Sequence, residues 1–291
     1  MKRITLVTIF LGLIVSLVGG CSNSYTTKST FKQIKSTVVT DDYVIVKRFT
    51  GFIDPSWAEK LEPAFQDPHC KVVLAWIDSP GGSAVYAEQI AHNFKAMRDK
   101  YNKPLWIFSE YCLASGAYWI GVVADTIVAS PVSVVGSIGV VSGRPDITAA
   151  DSITGVKWWI FYSSAQKVFG NPHIKMTPLE ADYFRRNVTS TYIRFVKHVY
   201  THRFSQFVTA LQRRYPVVDS MDVVNLALAV STGLVYSAEE SYKYGMIDKV
   251  LYFDELVEFF HKKGLRVRTL EGLSLIHISE PTRLLSLSYA V

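Results

Sequence analysis

Several residue types that would announce a chemistry are scarce in this chain. Only three of its 291 residues are cysteine, at positions 21, 70 and 112, and no two form a C-x-x-C pair. That leaves no sequence signal for a zinc ribbon or a dithiol redox site. There are seven histidines, but none between His92 and His173, and no H-E-x-x-H occurs. A helix-borne zinc hydrolase motif is therefore missing. There is no G-x-x-x-x-G-K-[ST] loop either, so ATP-driven work by this chain is not expected. Charge is sparse and dispersed, with 19% charged residues and a net charge of +6 that no Lys/Arg block concentrates. Solubility, with some attraction to anionic lipid, accounts for that balance better than nucleic-acid binding. No cofactor or metal is expected.

What is present begins with "MKRITLVTIFLGLIVSLVGGC". Lys2 and Arg3 precede an uncharged apolar run from Ile4 to Val18, and small residues lead into Cys21. A basic start, a short apolar run and small residues before a cut make an export signal. The ending resembles a bacterial lipobox, in which Cys21 would be lipidated and become the mature N-terminus. The run falls short of the roughly 20 residues of a stable membrane-spanning helix. An uncleaved anchor and plain secretion are the alternatives. Each places the domain outside the cytoplasm, and the first two hold it at a membrane, facing the periplasm or the cell exterior. Residues 22–40 are polar and Ser/Thr-rich and read as a tether. Residues 273–291, "LSLIHISEPTRLLSLSYAV", do not continue the preceding pattern and read as a non-native tail. Cys70 and Cys112 could pair in an oxidising compartment, but both flank apolar runs, and unpaired buried thiols are the expectation.

Between these ends, strand and helix signals alternate. "YVIVKRFTGFI" (43–53) is β-branched and aromatic, as strands are. "PSWAEKLEPAFQD" places Trp57, Leu61 and Phe65 on one helical face after a proline. "KVVLAWID" is a continuous apolar run, the pattern of a strand buried on both faces, and it ends in the sharp turn "SPGGS". The following helix puts Ile90, Phe94 and Met97 on one stripe. "KPLWIFSEY" and "DTIVAS" read as strands flanking the short helix "SGAYWIGVVA", and "PVSVVGSIGVVSG" as a turn and strand. "VKWWIFYSS" (156–164) reads as a further strand, and "AQKVFGNPH" as a loop. A long helix begins at Thr177, whose first turn carries Pro178 and Glu180. "GLVYSAEESYKYGMIDKV" (233–250) reads as turn, short helix, break and strand. The alternation predicts an α/β fold with a parallel sheet.

Two features carry chemistry. The glycines of "DSPGGS" (78–83) would let backbone N–H groups face a cleft and stabilise an oxyanion; a plain tight turn is the competing explanation. Ser115 stands among Ala114, Gly116 and Ala117 where large apolar residues crowd both sides. As the start of a helix it is either an N-cap or a nucleophile near a positive dipole end.

Taken together, "DSPGG", "ASGAYWIGVVADTIVASPVSVVGSIGV" and "YSAEESYKYGMIDKV" resemble the signal peptide peptidase A family of bacterial serine peptidases, with its SohB-like relatives. The resemblance runs from about Tyr43 to Val250, with the motifs in order and spacing. It implies repeated β-β-α units of the crotonase/Clp-protease kind, a C-terminal helical segment and a catalytic domain over 41–255. It also implies a Ser/Lys dyad. The family nucleophile maps to Ser115. The lysine maps to Lys167 through "SSAQKVFGNP", 52 positions later (167 − 115), with Ser164 in place of the usual glycine. Ser137, in "GSIGV", would hydrogen-bond the lysine amine. Oxyanion donors would be Gly81 or Gly82, with Gly116. Family members with one copy of this unit form rings, and the dyad can be completed across a subunit boundary, so a homo-oligomer is implied.

The chemistry is coherent without the family. Serine needs a base, and a lysine serves only when neutral. Free lysine titrates near pH ~10.4, so an apolar shelter must depress it. Trp158, Trp159, Phe161, Tyr162, Val168 and Phe169 are the candidates for that shelter, and Lys157 and Lys175 are fallback bases without a motif. A Ser–His–Asp triad would have to use His173, in a loop beside Pro172. The expectation is a membrane-tethered serine endopeptidase acting on short apolar peptides such as cleaved signal peptides. The alternatives are a non-catalytic exported lipoprotein that binds or scaffolds, and a crotonase-type acyl-CoA enzyme.

Overall fold

The computed structural model describes residues 42–270. The signal segment with Cys21, the tether over 22–40 and the tail over 273–291 lie outside the described residues. Strand β1 (Tyr43–Thr50) leads through helix α1 (Trp57–Gln66) to β2 (Cys70–Asp78), and α2 (Ala84–Tyr101) leads to β3 (Leu105–Ser109). Next come β4 (Cys112–Ala114), α3 (Gly116–Gly121), β5 (Thr126–Ala129), β6 (Val134–Gly136) and α4 (Thr148–Thr154). The long α5 (Pro178–Gln212) and α6 (Ser220–Ala229) follow, and the chain closes with β7 (Val235–Ser237), α7 (Ala238–Lys243), β8 (Lys249–Val250), α8 (Phe253–Lys262) and β9 (Arg266–Thr269).

Six strands form one sheet in the order β8-β5-β3-β2-β1-β9, and every pairing in it is parallel. A second sheet holds β4-β6-β7, with β4 parallel and β7 antiparallel to β6. The chain moves from one sheet to the other and back: β3 then β4, β5 then β6. Ser79, just past β2, bridges to Leu113 of β4 and makes the same step. These are the expected β-β-α units on a parallel sheet.

The large sheet is covered on both faces, which is why its strands read as unbroken apolar runs. Along β1, Ile45 and Phe49 face a core shared with Trp57, Leu61 and Phe65 of α1 and Ile90 and Phe94 of α2. Val44 and Val46 face the opposite cluster, with Leu74, Phe108, Leu256 and Phe260. Leu256 and Phe260 belong to α8, and β9 pairs with β1 at the sheet edge. The folded unit therefore continues past residue 255, because α8 is the cover of the second face.

One expected element is absent. Residues 156–164 form no strand within the chain; no described strand lies alongside to accept their backbone bonds. Helix α5 starts as the sequence indicates, with Thr177 accepting the Glu180 N–H. Its buried apolar residues begin at Phe195 and continue through Val199, Phe207 and Ala210. Arg203 is fully buried among them, paired to Asp248 at 2.9 Å and donating to the Gly245 carbonyl. No described helix is long and apolar enough to cross a membrane.

Helix α5 also presses His198 against α3. Its Nε2 lies 3.1 Å from the Trp119 carbonyl oxygen, and its ring lies 4.5 Å from that of His202. Burial, reinforced by His202, lowers the His198 pKa to about 4. An unfolded histidine takes up its proton near pH ~6.5. Between those values the unfolded state binds more protons, so this contribution to stability is full above the unfolded pKa and is lost as pH falls toward the folded one. Urea unfolding from pH 7.5 to 4 should show the wild type losing up to about 3 kcal/mol more than His198→Gln, which keeps a donor for the Trp119 carbonyl. Parallel pH profiles would refute this.

Candidate active site

The site is built where two short parallel strands end. Ala114 of β4 and Gly136 of β6 are register partners, and each is followed by a serine with positive φ. Ser115 has φ 53° and ψ −125°, and Ser137 has φ 49°. Such backbone costs on the order of 1–3 kcal/mol and persists only where the surroundings impose it. Here the Ser115 N–H donates to the Gly136 carbonyl at 2.8 Å and the Ser137 N–H to the Leu234 carbonyl at 2.7 Å. The Ser115 side chain makes no capping bond to α3, so the N-cap explanation fails.

The glycine turn presses against this elbow. Asp78 Oδ1 accepts the N–H groups of Glu110 and Tyr111 at 2.9 and 2.8 Å, fixing the approach to β4. A Cβ on Gly81 would lie 2.8 Å from both Ser115 Cβ and the Gly116 nitrogen. Its φ of 106° also disfavours a side chain. The two candidate turn amides now separate. The Gly81 N–H donates to Ser79 Oγ at 3.0 Å and is occupied. The Gly81 carbonyl accepts the Ile53 N–H at 3.0 Å, and in a trans peptide the Gly82 N–H points the opposite way. Among the described residues neither the Gly82 nor the Gly116 N–H has an acceptor. The Gly82 nitrogen is 3.5 Å from where a Gly116 Cβ would stand.

A cavity of about 720 Å³ opens here, bounded by Gly82, Ser115, Gly116 and Ser137 and walled by Trp119, Ile138, Tyr192 and Phe195. Trp119 stacks on Phe195 with 4.5 Å between ring centroids. The Tyr192 hydroxyl donates to the Ser231 carbonyl at 2.6 Å and holds α5 against the far wall. Four of the expected residues thus line one cavity, and Gly81 packs beneath Ser115.

Lys167 is not among them. It lies exposed in a 3-10 turn (Ala165–Val168) and does not line the cavity; Lys157 and Lys175 are exposed as well. The apolar shelter expected around Lys167 does not form within one chain: Trp159 is 82% and Phe161 91% exposed, and Trp158 and Tyr162 are exposed too. The physical reason is the missing strand pairing of 156–164, which leaves Trp159 and Phe161 outside any core. His173 pairs with Asp151 at 2.9 Å and stacks on Trp158, away from the cavity. Cys70 and Cys112 are free thiols. Burial raises both, Cys70 to about 11, which suits packing rather than thiolate chemistry.

A buried ion pair escaped the sequence reading. Arg144 and Glu180 meet at 2.9 Å with side chains 5% and 4% exposed. Arg144 also donates to the Asn171 and Ile174 carbonyls, and Glu180 accepts the Gly170 N–H. Together they moor the Lys167 loop to the start of α5. The only signal was Glu180 in a helix first turn, which reads as capping.

A strained serine beside two free backbone amides is an arrangement suited to acyl transfer, because the amides can receive an oxyanion formed at that serine. Residues 97–215 match the model of Peptidase family S49. The matched stretch runs from the end of α2 through α5 and includes Ser115, Ser137 and Lys167. A candidate protease of Methanocaldococcus jannaschii is 30% identical over 190 residues, covering 65% of this chain and 55% of the relative. The chloroplastic serine protease SPPA of Arabidopsis thaliana is 25% identical over 225 residues, covering 77% and 30%. The chain thus spans about half the length of the first relative and under a third of the second. Among solved structures, a lysine-to-alanine mutant of the 1510-N membrane-bound stomatin-specific protease, in complex with a substrate peptide, is 17% identical with a TM-score of 0.47, covering 86% of this chain and 99% of that one.

The Gly81 contact gives a direct test. Gly81→Ala should lower the melting temperature by about 2–10 °C, as about 1–3 kcal/mol does in a domain this size. It should also reduce fluorophosphonate labelling of Ser115 at least tenfold. Gly143→Ala, where an added Cβ meets nothing within 4 Å, should change neither. Wild-type labelling in Gly81→Ala would show that the close approach does not matter.

Proposed function

We propose that this chain is a membrane-tethered, ATP-independent serine endopeptidase that cleaves short, mostly apolar peptides, such as cleaved signal peptides. The observation that carries the proposal is the placement of Ser115 on a strained elbow beside the free Gly82 and Gly116 amides, in an aromatic-walled cavity. Ser115 Oγ attacks the scissile carbonyl while Lys167 Nζ, neutral, takes the hydroxyl proton. The two amides receive the oxyanion. As the tetrahedral species collapses, Lys167 returns the proton to the leaving amine, and water later releases the acyl group by the same relay. Ser137, on the parallel elbow, orients the amine.

Lys167 does not line the Ser115 cavity of its own chain, so the reading requires a partner subunit. A homo-oligomeric ring in which the 156–169 segment of one protomer lies against the cavity of the next would bury the exposed aromatics and the amine together. That burial would supply the desolvation the base requires. Lipidation at Cys21, or an uncleaved anchor, tethers the assembly on the periplasmic or exterior side.

The exposure of Lys167 also supports a second reading, a non-catalytic exported lipoprotein that keeps the fold for binding. Labelling of the full chain in detergent by a fluorophosphonate separates the two. The peptidase should label in the wild type, lose all labelling in Ser115→Ala and lose at least about a hundredfold in Lys167→Ala, as loss of a positioned general base does. It should sediment as an oligomer with a pH optimum above neutral. Equal labelling of wild type and Lys167→Ala would remove the dyad, and absence of labelling in the wild type would favour the binding module.

A further inference from the structure

We infer that Ile53 is a positioning residue that sets the spacing of the two oxyanion amides. The inference rests on the peptidase reading of Ser115. Strand β1 ends at Thr50, and the chain turns at Gly51, whose N–H donates to the Asp78 carbonyl at 3.1 Å. Phe52 points outward, and Ile53 turns in and is 7% exposed. It does not line the cavity, so it acts from behind the site.

Three contacts converge on this one residue. Its N–H holds the Gly81 carbonyl at 3.0 Å, which turns the next amide, that of Gly82, the other way. Its Cβ lies 3.3 Å from where a Cβ on Gly82 would stand. Its Cδ1 lies only 2.6 Å from where a Cβ on Gly116 would stand. A single residue therefore packs against both residues whose amides are free, with its backbone and Cβ on Gly82 and its Cδ1 on Gly116. This matters because two donors stabilise an oxyanion only when both reach it at about 2.7–3.1 Å. Gly81 and Gly82 have no side chains to hold their turn, and glycine backbone is the most permissive there is. Isoleucine is branched at Cβ and stiff at χ1, which suits a spacer. In Gly116 and Gly82 the absence of a Cβ leaves the room that Ile53 occupies.

The test uses the full chain in detergent with a fluorogenic peptide and a matched peptide boronate as transition-state analogue. Ile53→Ala keeps the backbone N–H and the Cβ that face the glycine turn and removes the part of the side chain that faces Gly116. It should lower kcat by about 10- to 100-fold, below the loss expected for deleting a whole donor. KM should stay within about twofold, and boronate affinity should fall in step with kcat, as for an interaction made only in the transition state. Ile53→Val, which lacks only Cδ1, the atom that faces Gly116, should show most of the same loss in kcat. Val46→Ala, in the core on the other sheet face, should lower the melting temperature without this split between kcat and KM. Unchanged kcat in Ile53→Ala, or the same kinetic loss in Val46→Ala, overturns the positioning role while leaving the peptidase reading intact. A wild type that neither turns over peptide nor labels at Ser115 brings down both.

Discussion

Backbone approaches backbone at Gly81 more closely than any side chain would permit, and the candidate site is arranged around that contact. With no room for a Cβ, the turn after β2 lies directly on the Ser115–Gly116 peptide. The contact holds only because each partner is fixed from behind. Asp78 secures the approach to β4, Ser79 occupies the Gly81 amide, and Ile53 holds the Gly81 carbonyl. The small residues around Ser115 follow from this: Gly116 makes room for Ile53 and Ala87.

The β-β-α repeat explains why two serines meet. After β3 and again after β5 the chain leaves the large sheet to add a short strand to the small one, and these two strands, β4 and β6, are neighbours there. Residues one step past register partners are adjacent, so Ser115 and Ser137 become neighbours although 22 positions separate them (137 − 115). Both carry positive φ, and both backbones are held by carbonyls of the adjoining strand or turn. The strain is local, and the parallel sheet behind it, covered on both faces, is the rigid body that bears it.

The Ser115 cavity and the Lys167 loop are separate within the chain. Serine, amides and an aromatic wall are assembled at the cavity, whereas the Lys167 loop is moored by Arg144 and Glu180 at the start of α5. A buried ion pair there is costly to form in water-poor surroundings and costly to break, which makes it an anchor for geometry more than a source of stability. The mooring holds a loop that leaves Trp159 and Phe161 largely exposed.

Residue pattern alone determined the parallel α/β fold, because strands covered on both faces read as continuous apolar runs, as "KVVLAWID" does, and such runs alternate with helical stripes. It also determined the start of α5, since a Thr cap, proline and glutamate act within one turn. It pointed to Ser115, since few reasons exist to clear space around one hydroxyl inside a core. It did not distinguish Gly81 from Gly82, because which amide is free depends on the direction of one peptide plane, and Ile53, from another segment, sets that direction. It read 156–164 as a strand because β-branched and aromatic content signals the preference of the backbone and not the presence of a neighbour. Arg144 and Glu180 are 36 positions apart (180 − 144), and no local rule joins them. Composition and spacing act over a turn or a strand; contacts between distant segments, and between chains, exist only once the backbone has been folded around them.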